Sequence, residues 1–279
     1  MNVPGFLNFV VTNCIPRRSL TRMMGRLSKV EHPWVRDPSI ALWRALCSVD
    51  LSDAEARRFR SLHAAFTRRL APGARVVEAA AGVLVSPCDG MVMAGGPIEQ
   101  GELLQAKGRR YSLGELLVDP ALAAHYEGGT YVTLRLTAGM YHRFHAPHDC
   151  RITQVTYVAG DVWNVNPPTL LRVDRLYCRN ERAVIRARLE ANDDLVTLVP
   201  VAAVLVASIR LEFADVTLHL RYEGPNEIGC AADLKKGEEL GWFEHGSTII
   251  VLAPRGYRLA ACVQPGTLLR MGQGLMKIP

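Results

Sequence analysis

The chain has 279 residues, 49% of them hydrophobic and 22% charged, with a net charge of +6. So apolar a composition with so small a charge excludes intrinsic disorder, and the length can bury one large core or two modest ones. The longest uncharged apolar stretch, 195–209, is interrupted by Pro200 and falls short of the roughly 18–20 residues of a spanning helix, which excludes a polytopic membrane protein.

The positive charge is concentrated at one end. Residues 1–75 carry 13 basic and 5 acidic residues, whereas 76–279 carry 20 and 22. A basic N-terminal segment points to an anionic partner, nucleic acid or a membrane surface. No basic residue precedes the apolar stretch at the N-terminus, which makes it a poor secretory signal. Seven widely spaced cysteines with no CxxC pair indicate neither a zinc ribbon nor a disulfide framework, and suit a reducing compartment.

Three helices are predicted first. Leu20, Met23, Met24, Leu27 and Val30 recur at helical spacing, with Arg17, Arg18, Arg22, Arg26 and Lys29 elsewhere on the turn. This basic amphipathic pattern suits a membrane interface. A second helix is expected after Asp37-Pro38, carrying Ile40, Trp43 and Leu46 on one side. A third is expected to open with Ser52 as N-cap and Glu55 completing a capping box, its stripe being Phe59, Leu62, Phe66 and Leu70. Packing on the rest of the protein is the alternative use of these stripes. Beyond Pro72-Gly73 the pattern becomes β. Residues 130–137, 183–189 and 216–222 alternate as half-buried strands do, and 195–213 predicts two core strands around Pro200 and Val201. Only 111–117 and 119–126 look helical. The fold class is therefore α+β, with a helical N-terminal region over 1–75 and a mostly antiparallel β body over 76–279.

Three segments could carry chemistry. Ser86-Pro87-Cys88-Asp89-Gly90 ends an apolar run, and taken alone its Asp89 is as well explained as a turn former. In 141–148, His142, His145 and His148 fall within seven residues. They lack the i, i+4 helical pairing of a zincin, and Pro147 argues against a helix there, so general acid–base work suits them better than a metal. A surface loop with incidental histidines remains open. Glu244-His245-Gly246-Ser247-Thr248 precedes the apolar run 249–252. It reads either as an ordinary turn or as a bond the chain breaks in itself. Glycine leaves its carbonyl open to attack, and the adjacent Ser247 hydroxyl can attack it once a base takes its proton.

Read together, these segments resemble the phosphatidylserine decarboxylase family. SPCDG at 86–90, GELLQAKGRRYSLGELL at 101–117, YHRFHAP at 141–147, VAGDVWNVNP at 158–167, RNER at 179–182 and HGSTIIVLAP at 245–254 follow the family's order. The departure is His245, where the family usually has leucine before Gly-Ser-Thr. The resemblance implies a self-processing proenzyme cut between Gly246 and Ser247. Ser247 is then the nucleophile, His145 takes its proton, and Asp89 orients the imidazole. Ser247 becomes a pyruvoyl cap on a 33-residue fragment and forms a Schiff base with the serine amine of the substrate, and no metal is required. His142 is the candidate for protonating the carbanion, with a structural buried histidine as its alternative. Arg143 and Arg179 are candidates for holding the lipid phosphate.

The function so implied converts phosphatidylserine to phosphatidylethanolamine and CO2, in a peripheral protein on the cytoplasmic face of the cell membrane. Its partners are anionic, phosphatidylserine-containing membranes and the two chains produced by the cut, and a homodimer is left open. Two rivals stand beside it. One is a pyruvoyl decarboxylase of a soluble amine, and the other a processing-dead membrane-binding homologue. Nucleic acid fits poorly, because the basic region has no interleaved aromatics at a recognisable motif spacing.

Overall fold

The computed structural model describes residues 17–106, 108–203, 208–244 and 247–279. His245 and Gly246 lie outside them, as does the whole apolar N-terminal stretch with Cys14.

Among the described residues three helices precede the sheets: α1 (Arg17–Leu27), α2 (Pro33–Cys47) and α3 (Leu62–Phe66). The second starts a turn earlier than its sequence suggests. His32 is an extended N-cap and Pro33 occupies the first turn, where its missing N–H costs nothing, so the helix runs through Pro38. Trp43 is buried as expected and Ile40 half-buried, but Leu46 is 74% exposed. The predicted capping box at Ser52 does not form. Asp53 and Glu55 hydrogen-bond instead to the backbone of Ala71 and Arg69, so the segment doubles back on itself, and Ser61 caps α3 by accepting from the Ala64 amide at 3.1 Å.

The β body begins with β1 (Val83–Val85), β2 (Gly90–Pro97), β3 (Glu102–Ala106) and β4 (Arg109–Ser112). Ser112 then caps α4 (Leu113–Leu117), and α5 (Pro120–His125) follows. The helix expected over 111–117 is thus strand for its first two residues, because Tyr111 and Ser112 pair with β3. Next come β5 (Thr130–Leu136), β6 (Arg143–His145) and β7 (Cys150–Val158). Two short helices follow, α6 (Pro167–Leu170) and α7 (Leu176–Arg179), which the sequence pattern did not reveal because each is a single turn. The remaining strands are β8 (Arg182–Leu189), β9 (Leu195–Ala202), β10 (Ser208–Leu211), β11 (Val216–His219), β12 (Glu227–Leu234) and β13 (Glu239–Phe243). The chain ends in β14 (Ser247–Ala253), β15 (Arg258–Leu259), β16 (Leu268–Leu269) and β17 (Gly274–Lys277).

Eight strands form the central antiparallel sheet in the order β12-β7-β8-β9-β14-β5-β2-β16. A four-stranded sheet, β11-β10-β13-β6, carries the histidine segment. Pro200 does not divide its strand. The β8–β9 register passes from Arg182↔Val201 to Ile185↔Leu198, so the proline, which has no N–H to give, falls in the interruption. The expected half-buried character of 130–136 is also corrected. Val132, Leu134 and Leu136 face one apolar cluster with Ile249 and Val251, while Tyr131 faces a second with Ile250 and Leu252. A central strand covered on both faces loses its solvent side, and Thr133 is buried with it.

The helical layer docks on the turn ahead of the histidine segment. Trp43 donates its indole N–H to the Ala138 carbonyl at 3.0 Å. A Cβ on Gly139 would stand 2.5 Å from the Cys47 carbonyl oxygen, an approach only glycine permits.

Candidate active site

The three segments singled out by sequence are neighbours in the fold. The backbone N–H of His145 donates to the Pro87 carbonyl at 2.8 Å, which seats β6 against 86–90. On its other edge β6 pairs with β13, and the Phe243 amide donates to the His142 carbonyl at 3.0 Å. Four residues beyond Phe243, Ser247 opens β14 between β9 and β5, opposite Ala202 and Leu136. By the two-residue period of a strand, Ser247 shares the face of Ile249 and Val251, and Thr248 that of Ile250 and Leu252. The Ser247 side chain is fully buried, and its hydroxyl has no hydrogen-bond partner among the described residues.

His145 is buried and held at both ring nitrogens. Nδ1 lies 2.9 Å from the Gly237 carbonyl, which can only accept, so this nitrogen carries the proton. Nε2 is then the lone-pair nitrogen and accepts from the Tyr141 hydroxyl at 3.0 Å. Burial lowers the imidazole pKa to about 4, against the opposing hydrogen bond to Gly237, with nearby Arg143 lowering it further. The ring is therefore neutral at pH 7, with the lone pair of Nε2 facing the Tyr141 hydroxyl.

Asp89 lies beside this segment but does not bond the imidazole. Its carboxylate accepts from Arg75 Nε at 2.9 Å and from the Met271 amide at 2.9 Å. Arg75 also reaches Asp53 at 3.0 Å. Burial disfavours the charge on Arg75, but its hydrogen bonds to Asp89 and Asp53 more than offset this and raise its pKa. The acceptor on His145 Nδ1 is thus the Gly237 carbonyl, with Asp89 acting on the ring only through space by favouring its charged form.

His142 is fully buried, with Nδ1 2.8 Å from the Met140 carbonyl and its ring centroid 4.0 Å from that of Phe66 on α3. The third histidine, His148, faces elsewhere and bonds the Ala81 carbonyl at 2.7 Å. The three rings therefore diverge to separate carbonyls, and the described residues contain no group of three or more histidine, cysteine or acidic side chains placed to hold a metal.

The structure assigns Arg143 a different place from the one its sequence suggested. It donates to the Thr67 and Arg68 carbonyls at 2.9 and 3.2 Å, pairs with Glu239 and stacks 4.5 Å from the Trp242 ring. A guanidinium so occupied ties the helical layer to β13. Arg179 is exposed on α7, in a shallow groove with Glu115 and Arg175.

Sequence reasoning passed over Arg75 and the Gly237 carbonyl, took Phe66 only as part of a helical stripe, and quoted Tyr141 within YHRFHAP without a role. Arg75 and Gly237 belong to no motif with chemistry of its own, and each matters only through a partner distant in the chain, 14 residues away for Arg75 and 92 for Gly237.

Comparison with known proteins decides the family. The model of the family described as phosphatidylserine decarboxylase matches residues 62–277, beginning where α3 begins. The chain belongs to the phosphatidylserine decarboxylase family. Among relatives, the phosphatidylserine decarboxylase proenzyme of Psychrobacter cryohalolentis is 34% identical over 264 residues, covering 93% of this chain and 94% of the relative. That of Shewanella sp. (strain MR-7) is 35% identical over 276 residues, covering 95% and 94%. Membership makes this member of the family a carboxy-lyase.

Proposed function

We propose that this chain decarboxylates phosphatidylserine to phosphatidylethanolamine and CO2 after cutting itself between Gly246 and Ser247. The observation that carries the reading is Ser247, a sealed serine at the head of a central strand, its hydroxyl unpartnered among the described residues, in a chain that matches proenzymes along nearly its whole length.

Self-cleavage starts with loss of the Ser247 hydroxyl proton to His145 Nε2, for which the Tyr141 hydroxyl must give way. The alkoxide attacks the Gly246 carbonyl and the acyl group passes from nitrogen to oxygen, leaving an ester. Loss of the Cα proton of residue 247 then breaks its Cβ–Oγ bond, and Gly246 leaves as a carboxylate. Water replaces the remaining nitrogen, ammonia departs, and a pyruvoyl group caps the new chain. Placement supports this fate. β14 is hydrogen-bonded on both sides, and β17 pairs with β1 and β15, so the fragment 247–279 stays woven into the body after a cut.

A pyruvoyl group at residue 247 supplies a carbonyl that condenses with the substrate amine and draws off electrons as CO2 leaves. The chain's own part is to keep water out, and His142, fixed by Met140 and Phe66, is the proton donor proposed for the carbon left behind.

The membrane is the proposed location. Among the described residues no helix is long and apolar enough to cross one. The helical layer exposes Met23, Trp34, Leu42 and Leu46, with Trp34 87% accessible, within the segment that holds the excess basic charge. Anionic headgroups attract basic residues near the surface by roughly 1 kcal/mol each. The purified protein is therefore expected to release CO2 from phosphatidylserine vesicles and not from free serine, and to leave the vesicles at high salt. Equal turnover of free serine would overturn the substrate assignment, and salt-indifferent binding would overturn the electrostatic one.

A further inference from the structure

Among the described residues every buried or half-buried arginine but one makes at least one hydrogen bond, although Arg68 and Arg186, like that one, keep a sealed Nε without a partner. Arg182, fully buried, donates to the carbonyls of Glu115, Leu116, Cys178 and Asn180. Arg143 and Arg75 divide themselves between carbonyls and carboxylates as described. Arg135, half-buried on central strand β5, forms no hydrogen bond or ion pair with any described residue, and its Nε is sealed from solvent without a partner. Residues outside the described ones include no aspartate or glutamate, so the chain has no further carboxylate to offer it.

Arg135 has Met91 of β2 on one side and hydroxyl-bearing residues on the other. Its cross-strand neighbour on β14 is Thr248, which follows Ser247 in the chain but faces the other side of the strand, and the two Cα atoms of such a pair stand about 5 Å apart. Tyr177 of α7 approaches both of them. The hydroxyls of Tyr177 and Thr248 are buried and complete no hydrogen bond of ordinary geometry. Burial without a countercharge disfavours the guanidinium and lowers its pKa. A half-buried cation beside two buried hydroxyls that have only each other is incomplete as a structural element, and an oxyanion would complete it.

We propose that Arg135, with Tyr177 and Thr248, forms an anion subsite beside residue 247 whose ligand is the phosphodiester of the substrate headgroup. The subsite rests on the proposed function. The substrate carries two anionic groups, and the chemistry selects between them. Pairing the carboxylate with arginine would stabilise a charge that the reaction must disperse, holding the ground state below the transition state. Phosphodiester charge does not change as CO2 leaves, so arginine there binds substrate and transition state alike and registers in KM. Arg135 is thus a specificity-determining residue for lipid-derived amines over free amino acids.

The test uses the full chain, with self-cleavage checked by mass and thermal unfolding checked for each variant. In the wild type, calorimetry should show glycerophosphoethanolamine binding more tightly than inorganic phosphate. Arg135→Gln should weaken that binding about tenfold or more, the loss expected for a charged hydrogen bond, and Arg135→Lys should recover part of it. For phosphatidylserine vesicles, Arg135→Gln should raise KM by a similar factor with kcat changed far less. If that variant does not fold, Tyr177→Phe serves, with a smaller weakening expected. Binding indifferent to residue 135 would overturn the subsite, as would an Arg135-dependent loss for free serine with none for glycerophosphoethanolamine. Inorganic phosphate binding as tightly as the headgroup would overturn the headgroup assignment. A wild-type chain that neither splits nor releases CO2 would overturn the proposed function instead.

Discussion

With His145 replaced by alanine, the purified protein is expected to remain one polypeptide of 30.8 kDa. Removing a positioned base costs about 10²–10⁴ in rate, enough to leave most of the chain whole during expression. Hydrogen bonding makes the assignment sharper than the residue type alone. The Gly237 carbonyl holds the proton on Nδ1, so Nε2 is the basic nitrogen, and among the described residues only the Tyr141 hydroxyl occupies it. The pH dependence should carry the signature of burial. Because the folded imidazole titrates at about 4 rather than its ordinary 6.5, the splitting rate of freshly translated chain should stay level from pH 8 to about 5 and decline as pH falls through about 4. An ordinary histidine would bend the profile near 6.5. Stability follows the same sign. The unfolded chain takes up a proton that the folded one resists, so the contribution is complete above about 6.5 and is lost progressively towards 4. A profile bending near 6.5 would show the imidazole to be exposed or partnered differently during the cut.

Phe66→Ala is the second large effect. Phe66 is 1% exposed, and its ring lies between those of Trp43, at 5.7 Å, and His142, at 4.0 Å. Truncation should cost about 3–5 kcal/mol of stability. The more informative outcome is the split between two activities. His145 is held by Gly237 and Tyr141, independently of Phe66, so the chain should still cut itself. His142 loses the ring that fixes its plane, and a misplacement of about 1 Å costs about 10²-fold in turnover, so kcat for decarboxylation should fall on that scale. Phe66→Leu should restore stability better than it restores kcat. If cleavage and decarboxylation fell together in proportion to stability, Phe66 would be structural only.

That expectation changes what the N-terminal layer is for. Sequence alone separates 1–75 from the body by charge and helical period, and assigns it to a membrane surface. Yet α3 touches His142 through Phe66, and His63 on the same helix reaches Glu244 at 3.2 Å, two residues before Gly246. Lys29 joins the same carboxylate at 3.6 Å. The layer therefore packs against the proposed site as well as carrying the proposed membrane surface, and the family match beginning at residue 62 takes in this helix.

The fold class was legible because periodicity is local: β-branched alternation marked β5 and β8, and turn residues bounded them. Where a distant partner overrides local preference, sequence reading failed. Ser52 has every property of an N-cap, but pairing of 53–55 with 69–71 removes the helix it would cap. Pro200 looks like a strand break until the register across from it is known. At the site, Asp89, His142, His145 and Ser247 were conspicuous because each sits in a motif. Their immediate partners were not, since a carbonyl such as that of Gly237 has no sequence signature. Arg135 passed for one polar position in an alternating strand, and only the lack of a hydrogen-bond partner among the described residues sets it apart.

The central claim is that Ser247 is converted by the chain itself, and the intact mass of the purified protein tests it most directly. Two polypeptides are predicted, one ending at Gly246 and one of 33 residues beginning at position 247 with a blocked pyruvoyl terminus, while Ser247→Ala yields a single uncut chain. An uncut wild-type chain, or a Ser247→Ala variant that still divides at that bond, would contradict it.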